Sequence, residues 1–141
     1  MAHDATKFLM GATGSSEKVV SNHKGAIEAG IAVRLKSDNT LSIASADGNL
    51  LGISLGKDLS NAGHTAIARK GLLIPIQLTA AFNPTVGAAV SISDTTGLAI
   101  AAGGGATVVN AVYKSERMED GGVGEDGVAK DIALIDFPGG L

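Results

Sequence analysis

From residue 25 onward the chain runs in short apolar stretches separated by turn residues. Ile31-Ala-Val-Arg-Leu-Lys36 alternates apolar and polar toward its end, as a half-buried strand does. Ser37 to Thr40 is a turn, Leu41 to Ser45 alternates again, and 31–45 reads as a hairpin. Asp47-Gly48 is a second turn before Leu50 to Leu55, where Gly52 points to a bulge or a close backbone approach. Further strands are predicted over 64–70, 72–78, 88–93, 98–102, 107–114 and 130–137. Turn signals at Lys70-Gly71, Asn83-Pro84, Gly87, Asp94 to Gly97 and Gly103 to Gly105 separate them. Pro75 falls inside one of these runs. It cannot donate to a ladder, so that strand lies at an edge, bends or is interrupted. Helical periodicity is nearly absent. The pattern predicts an all-β fold: a small single-domain β-sandwich or partly open barrel of about eight short strands.

Two stretches depart from this grammar. Residues 1–24 are mostly polar, with Phe8-Leu9-Met10 as their one apolar cluster, and read as an extended N-terminal arm with a helical turn around Ser16 to Val20. Residues 25–141 form the β domain. Within it, 116–127 holds Glu116, Glu119, Asp120, Glu125 and Asp126 among glycines, and reads as an acidic surface loop.

Composition adds two points. The only aromatics are Phe8, Phe82, Tyr113 and Phe137, so the core is aliphatic and each side chain buries little area. Oligomerisation is a natural supplement to so thin a core. The 20 glycines, about twice the usual share, are dispersed between apolar runs, which indicates many turns rather than a linker.

The net charge is −3 and no basic run occurs, so the electrostatic footprint for nucleic acid or an anionic membrane is missing. There is no cysteine, which fits a cytoplasmic origin, and no apolar run of signal-peptide or transmembrane character. His3, His23 and His64 are scattered in sequence, no serine sits in a Gly-x-Ser-x-Gly elbow, and the serines and histidines read as incidental. Glu119-Asp-Gly and Glu125-Asp-Gly hint at calcium but lack EF-hand spacing. Gly11 to Gly14 and Gly103 to Gly105 lack a phosphate-loop pattern. Lys57 is the nearest thing to the modified lysine of a lipoyl- or biotinyl-type carrier, without the flanking Met. Arg69-Lys70 reads as a solvated strand end. No catalytic, cofactor-binding or metal site is assigned, and the expectation is a non-enzymatic protein without a cofactor.

The order of the punctuation resembles a known family. Gly30-Ile-Ala-Val33 opens a strand, and Ala46-Asp-Gly-Asn-Leu-Leu-Gly-Ile53 follows at hairpin spacing. Ala66 to Gly71 with Leu72-Leu-Ile-Pro-Ile76 comes next, then Pro84 to Ile92 with Thr96-Gly97-Leu98. Over about Gly25 to Lys114 this resembles tailed-bacteriophage capsid decoration (cement, or head-stabilising) proteins. The resemblance implies a structural protein made in the bacterial host cytoplasm and carried on the outer surface of the virion capsid. It would staple neighbouring major capsid protein subunits against internal DNA pressure, as a homotrimer or else a dimer, with no nucleic acid or membrane partner. Phe8, Leu9 and Met10 are the candidate capsid contacts. The small-residue strands Ala88 to Val90 and Leu98 to Ala102 are candidates for an oligomer interface. The alternatives are another virion module (tail tube or fibre) and a host-surface binding module, whose aromatic contacts could only be Phe82 and Tyr113.

Overall fold

The computed structural model of the chain describes residues 18–123 and 127–141. Among these residues ten strands occur: β1 Val19–Lys24, β2 Ala32–Leu35, β3 Leu41–Ser42, β4 Leu50–Lys57, β5 His64–Gln77, β6 Ala89–Ser93, β7 Ala99–Ile100, β8 Ala106–Tyr113, β9 Met118–Val123 and β10 Ala129–Phe137. One 3-10 turn, Ser45–Asp47, lies between β3 and β4. The all-β expectation therefore holds, with more strands than the eight expected.

β5 organises the sheet. Its first half is flanked by β4 on one side and β1 on the other, and its second half pairs with β10. The order is β3-β2-β4-β5-β10-β8-β6-β7, with β1 added to β5 and β9 to β10, and every strand pair is antiparallel. The sheet is open. A single parallel bridge, Leu78 to Ala99, brings β7 beside the end of β5 without forming a ladder.

The open sheet curls around one main core. Ala32, Ile53 and Ala68 from one end of the strand order pack in the same cluster as Val90, Ile92 and Ala99 from the other. Tyr113 and Phe137 are the bulkiest members and both are buried. A second cluster on the opposite face of β2 and β5 holds Ile31, Val33, Leu41 and Ile67. β2 is consequently buried on both faces, Arg34 included, where simple alternation had placed Arg34 outward.

Several local expectations change. The strands expected over 64–70 and 72–78 are one continuous strand, and Lys70-Gly71 is not a reversal. The irregularity sits where β5 changes neighbours: the register against β10 slips between Ile135 and Phe137, and Leu73 takes a positive φ of 56°. The Leu73 amide donates to Asp136 Oδ1 at 2.7 Å, which satisfies it outside the ladder. Pro75 is buried opposite Leu134, and β10 is the one ladder neighbour of that half of β5, so its missing N–H is tolerated as at an edge.

The arm expected over 1–24 gives up its last residues to β1, and the helical turn expected around Ser16 to Val20 is replaced at Val19-Val20 by strand. The acidic loop expected over 116–127 contains β9, held to β10 through Met118↔Ile132 and Lys130↔Gly122. Gly121 makes this possible, since a Cβ there would lie 2.3 Å from Ile132 Cγ1.

Candidate functional site

The face of β8 that points away from the core exposes two valines. Val109, Ala111 and Tyr113 turn inward, while Val108, Asn110 and Val112 turn out. Val108 is 62% exposed and Val112 39%. Val112 stands between Ala89 of β6 and Asp136 of β10 in register. A recess of about 340 Å³ is lined there by Ala89, Asn110, Val112, Asp136 and Pro138. Val86, 53% exposed, precedes β6 on the loop whose Gly87 amide donates to Tyr113 O. Two of the larger hollows are lined by Leu141, and one of them also shares Val109 and Asn110 with the recess. One, about 410 Å³, is bounded by Val19, Leu50, Leu51, Arg69, Lys70 and Leu141. The other, about 450 Å³, shares Leu50 and Leu141 with it and reaches Arg34, Thr107 and Val108.

The candidate oligomer strands split between core and surface. Val90 and Ala99 are fully buried and unavailable, whereas Ala88, Ala89, Ala101 and Ala102 are exposed. Phe8, Leu9 and Met10 lie outside the described residues. β1 begins at Val19 as an edge strand, paired on one flank only, with exposed Val19 and Val20.

The structure brings together two histidines that are distant in sequence. His23 pairs in register with Thr65, and Lys24 with His64. His23 has its pKa lowered by burial first and then by the positive charge of Arg69 and the proximity of His64. Ser21 Oγ lies 2.8 Å from His23 Nε2. This contact has two members of a nucleophile–base set but no third. Asp58, the nearest carboxylate on the adjoining loop, bonds Asn22 and caps Ser60 through its N–H and hydroxyl.

No group of three or more metal-ligating side chains occurs among the described residues. Glu119 and Asp120 are on β9, beside Asp131, which receives Arg117 Nε at 3.0 Å and Nη2 at 2.5 Å, together with the Asp120 amide. Those bonds hold the Asp131 pKa below its usual value, the Arg117 hydrogen bond contributing most. Arg117 Nη1 also donates to Thr79 O and Phe82 O, at 3.0 and 2.7 Å. This residue, which the sequence reading passed over, ties the 79–82 loop to β10. Lys57 stands at the end of β4, not at a hairpin tip. Phe82, half-buried, packs against the buried Tyr113 with ring centroids 6.0 Å apart.

Comparison with family models, with curated proteins and with solved structures gives no match. No helix among the described residues is long and apolar enough to cross a membrane.

Proposed function

We propose that this chain is a structural decoration protein of a tailed-phage capsid. It docks on the outer face of the expanded head and bridges neighbouring major capsid protein subunits. The observation that carries this reading is the ordered punctuation from Gly25 to Lys114, which resembles that family. The all-β fold and the exposed valines of β8 are consistent with a protein whose work is contact rather than chemistry. An oligomer that holds several capsid subunits at once needs only modest affinity at each, because each later contact forms at high effective concentration. In this reading Phe8, Leu9 and Met10 anchor the arm on the shell. The exposed alanines at 88–89 and 101–102, beside the β8 valines, supply the contact between copies of a homotrimer.

The test is to mix purified protein with undecorated expanded heads and follow sedimentation and cryo-electron microscopy. Saturating, ordered density on the outer shell is expected. Absence of binding to cognate heads overturns the reading. A variant lacking residues 1–15 retains β1, which starts at Val19, and is expected to stay folded while losing the heads. Full occupancy by that variant refutes the role given to the arm. A stable monomer in sedimentation at micromolar concentration refutes the oligomer contact.

A further inference from the structure

Arg34 is only 2% exposed, yet no carboxylate among the described residues forms an ion pair with it. Its Nε donates to Gly48 O at 2.9 Å and its Nη1 to Ile43 O at 3.0 Å. These two bonds explain why the guanidinium is held where it is: it braces the 43–48 segment against β2. They do not use Nη2. Among the described residues that atom has no hydrogen-bond partner. It is also not sealed in the protein, because the one fully buried side-chain polar atom without a partner among the described residues is the Tyr113 hydroxyl. Arg34 lines a hollow of about 450 Å³, and Nη2 is the guanidinium nitrogen not spent on the 43–48 segment. Burying a charge without a counter-charge is costly, and the two carbonyls offset only part of that cost.

The walls of the hollow narrow the ligand. Leu50, Val109 and Leu141 are apolar, and the amide side chains of Asn49 and Asn110 stand beside them. No second cation lines the hollow, so it suits a single negative charge better than a phosphate dianion. A guanidinium edge matches a planar carboxylate in geometry and charge.

We propose that this hollow binds a carboxylate carried on a short apolar stem, with Arg34 Nη2 as its charged donor and Asn110 as a second donor at the rim. The same chemistry is available from a free aliphatic acid and from a glutamate side chain of a protein partner. The site stands on its own geometry and does not depend on the capsid reading.

The experiment is a solution NMR titration of the full chain at constant ionic strength. It follows the Arg34 Nε–H and the Asn110 side-chain amide. The probes are sodium butyrate, a capped peptide bearing one glutamate, and butyramide as the uncharged isostere. Saturable shifts of both signals are expected with an acid and none with butyramide. R34K, which keeps the charge but loses the fork, is expected to bind about tenfold more weakly, the ratio that 1.4 kcal/mol represents. Should R34K fail to fold, N110D provides the measurement. Asn110 is exposed and takes no part in bracing the 43–48 segment, and a negative charge there is expected to weaken the acid by a similar factor. A response to butyrate alone assigns a small-acid site, and a response to the peptide assigns a protein-borne glutamate; both sustain the proposal. No saturable shift with either acid overturns it, as does an equal response to butyramide or full binding by N110D.

Discussion

Replacing Gly52 with alanine is the sharpest test of how β4 and β5 pack. A Cβ at this position would lie 2.2 Å from Ala68 O and 2.8 Å from Ile67 Cγ2. Cβ atoms essentially never come closer than 3.0 Å, so the two strands must separate locally by 0.8 Å, from 2.2 to 3.0 Å. The obstacle is a main-chain oxygen held at the end pair of a ladder, since the next residue, Ile53, pairs with Ala68 itself. It cannot swing aside as a side chain could. Forcing atoms into a packed interior costs about 1–3 kcal/mol, and a backbone obstacle belongs at the upper end. In a domain of this size each kcal/mol moves the midpoint by about 3–5 °C, so Gly52→Ala should lower the Tm by roughly 10 °C. Calorimetry measures it. The control is Gly104→Ala, where a Cβ meets nothing within 4 Å and φ is not positive. Removing a flexible glycine there should leave stability unchanged or raise it by about 0.4–1 kcal/mol. Equal midpoints for Gly52→Ala and the parent, or equal losses in the two variants, would refute the packing argument.

Arg117→Met removes the two hydrogen bonds to Thr79 O and Phe82 O and should cost about 1–3 kcal/mol in urea unfolding. The Asp131 pKa is depressed when folded, so its part of the stability is present above the unfolded value and lost as pH falls through the folded one. The gap between parent and Arg117→Met should therefore narrow below about pH 4; a constant gap would remove Asp131 from the account. His23 is likewise depressed, which makes its contribution complete above pH 6.5 and lost on acidification. His23→Gln should flatten the stability slope just below about pH 6.5, and an unchanged slope counts against the burial of this ring. Tyr113→Phe removes a buried hydroxyl that has no partner, and should raise stability by about 1 kcal/mol instead of lowering it. As the only tyrosine, Tyr113 can be followed by ultraviolet absorbance, and burial pushes its pKa up to about 12. Its contribution is intact below pH 10 and lost as pH rises toward 12, so ionisation at an ordinary value near 10 would contradict the buried placement.

The fold class was legible because most strands are short apolar runs bounded by turn residues. Ile31 to Leu35, Leu50 to Leu55 and Ala88 to Ser93 carry that signature, and each lies in or around a strand. β1 was not legible for the same physical reason. Val-Val-Ser-Asn-His-Lys lies at a sheet edge with no side chain fully buried, so selection for burial leaves no period in its sequence. β9 was hidden by composition. Met-Glu-Asp-Gly-Gly-Val is acidic and rich in glycine, which usually marks a loop. Here the anchor lies outside the strand, in Arg117, whose partners Thr79, Phe82 and Asp131 come from two distant parts of the chain.

The candidate surfaces show the same division more severely. Single exposed valines such as Val108 and Val112 are common on β proteins, and nothing in Thr-Val-Val-Asn-Ala-Val says which of them points out until the partners of β8 are known. Arg34 is the clearest case. In Ile-Ala-Val-Arg-Leu-Lys an arginine after three apolar residues reads as the wet face of a half-buried strand. It is buried because β2 has clusters on both sides, formed by β4 and β5 on one face and by Leu41 with Ile67 on the other. A charge in that position is tolerable only if its donors are used. Two of them are used by carbonyls of the 43–48 segment, which the sequence marks only as a turn. Arg34 also lines a hollow assembled from β2, β4, β8 and Leu141, segments that no local pattern connects. A buried cation whose Nη2 is left unspent is therefore a feature that only the assembled sheet reveals, and it is the group on which the proposed carboxylate site rests.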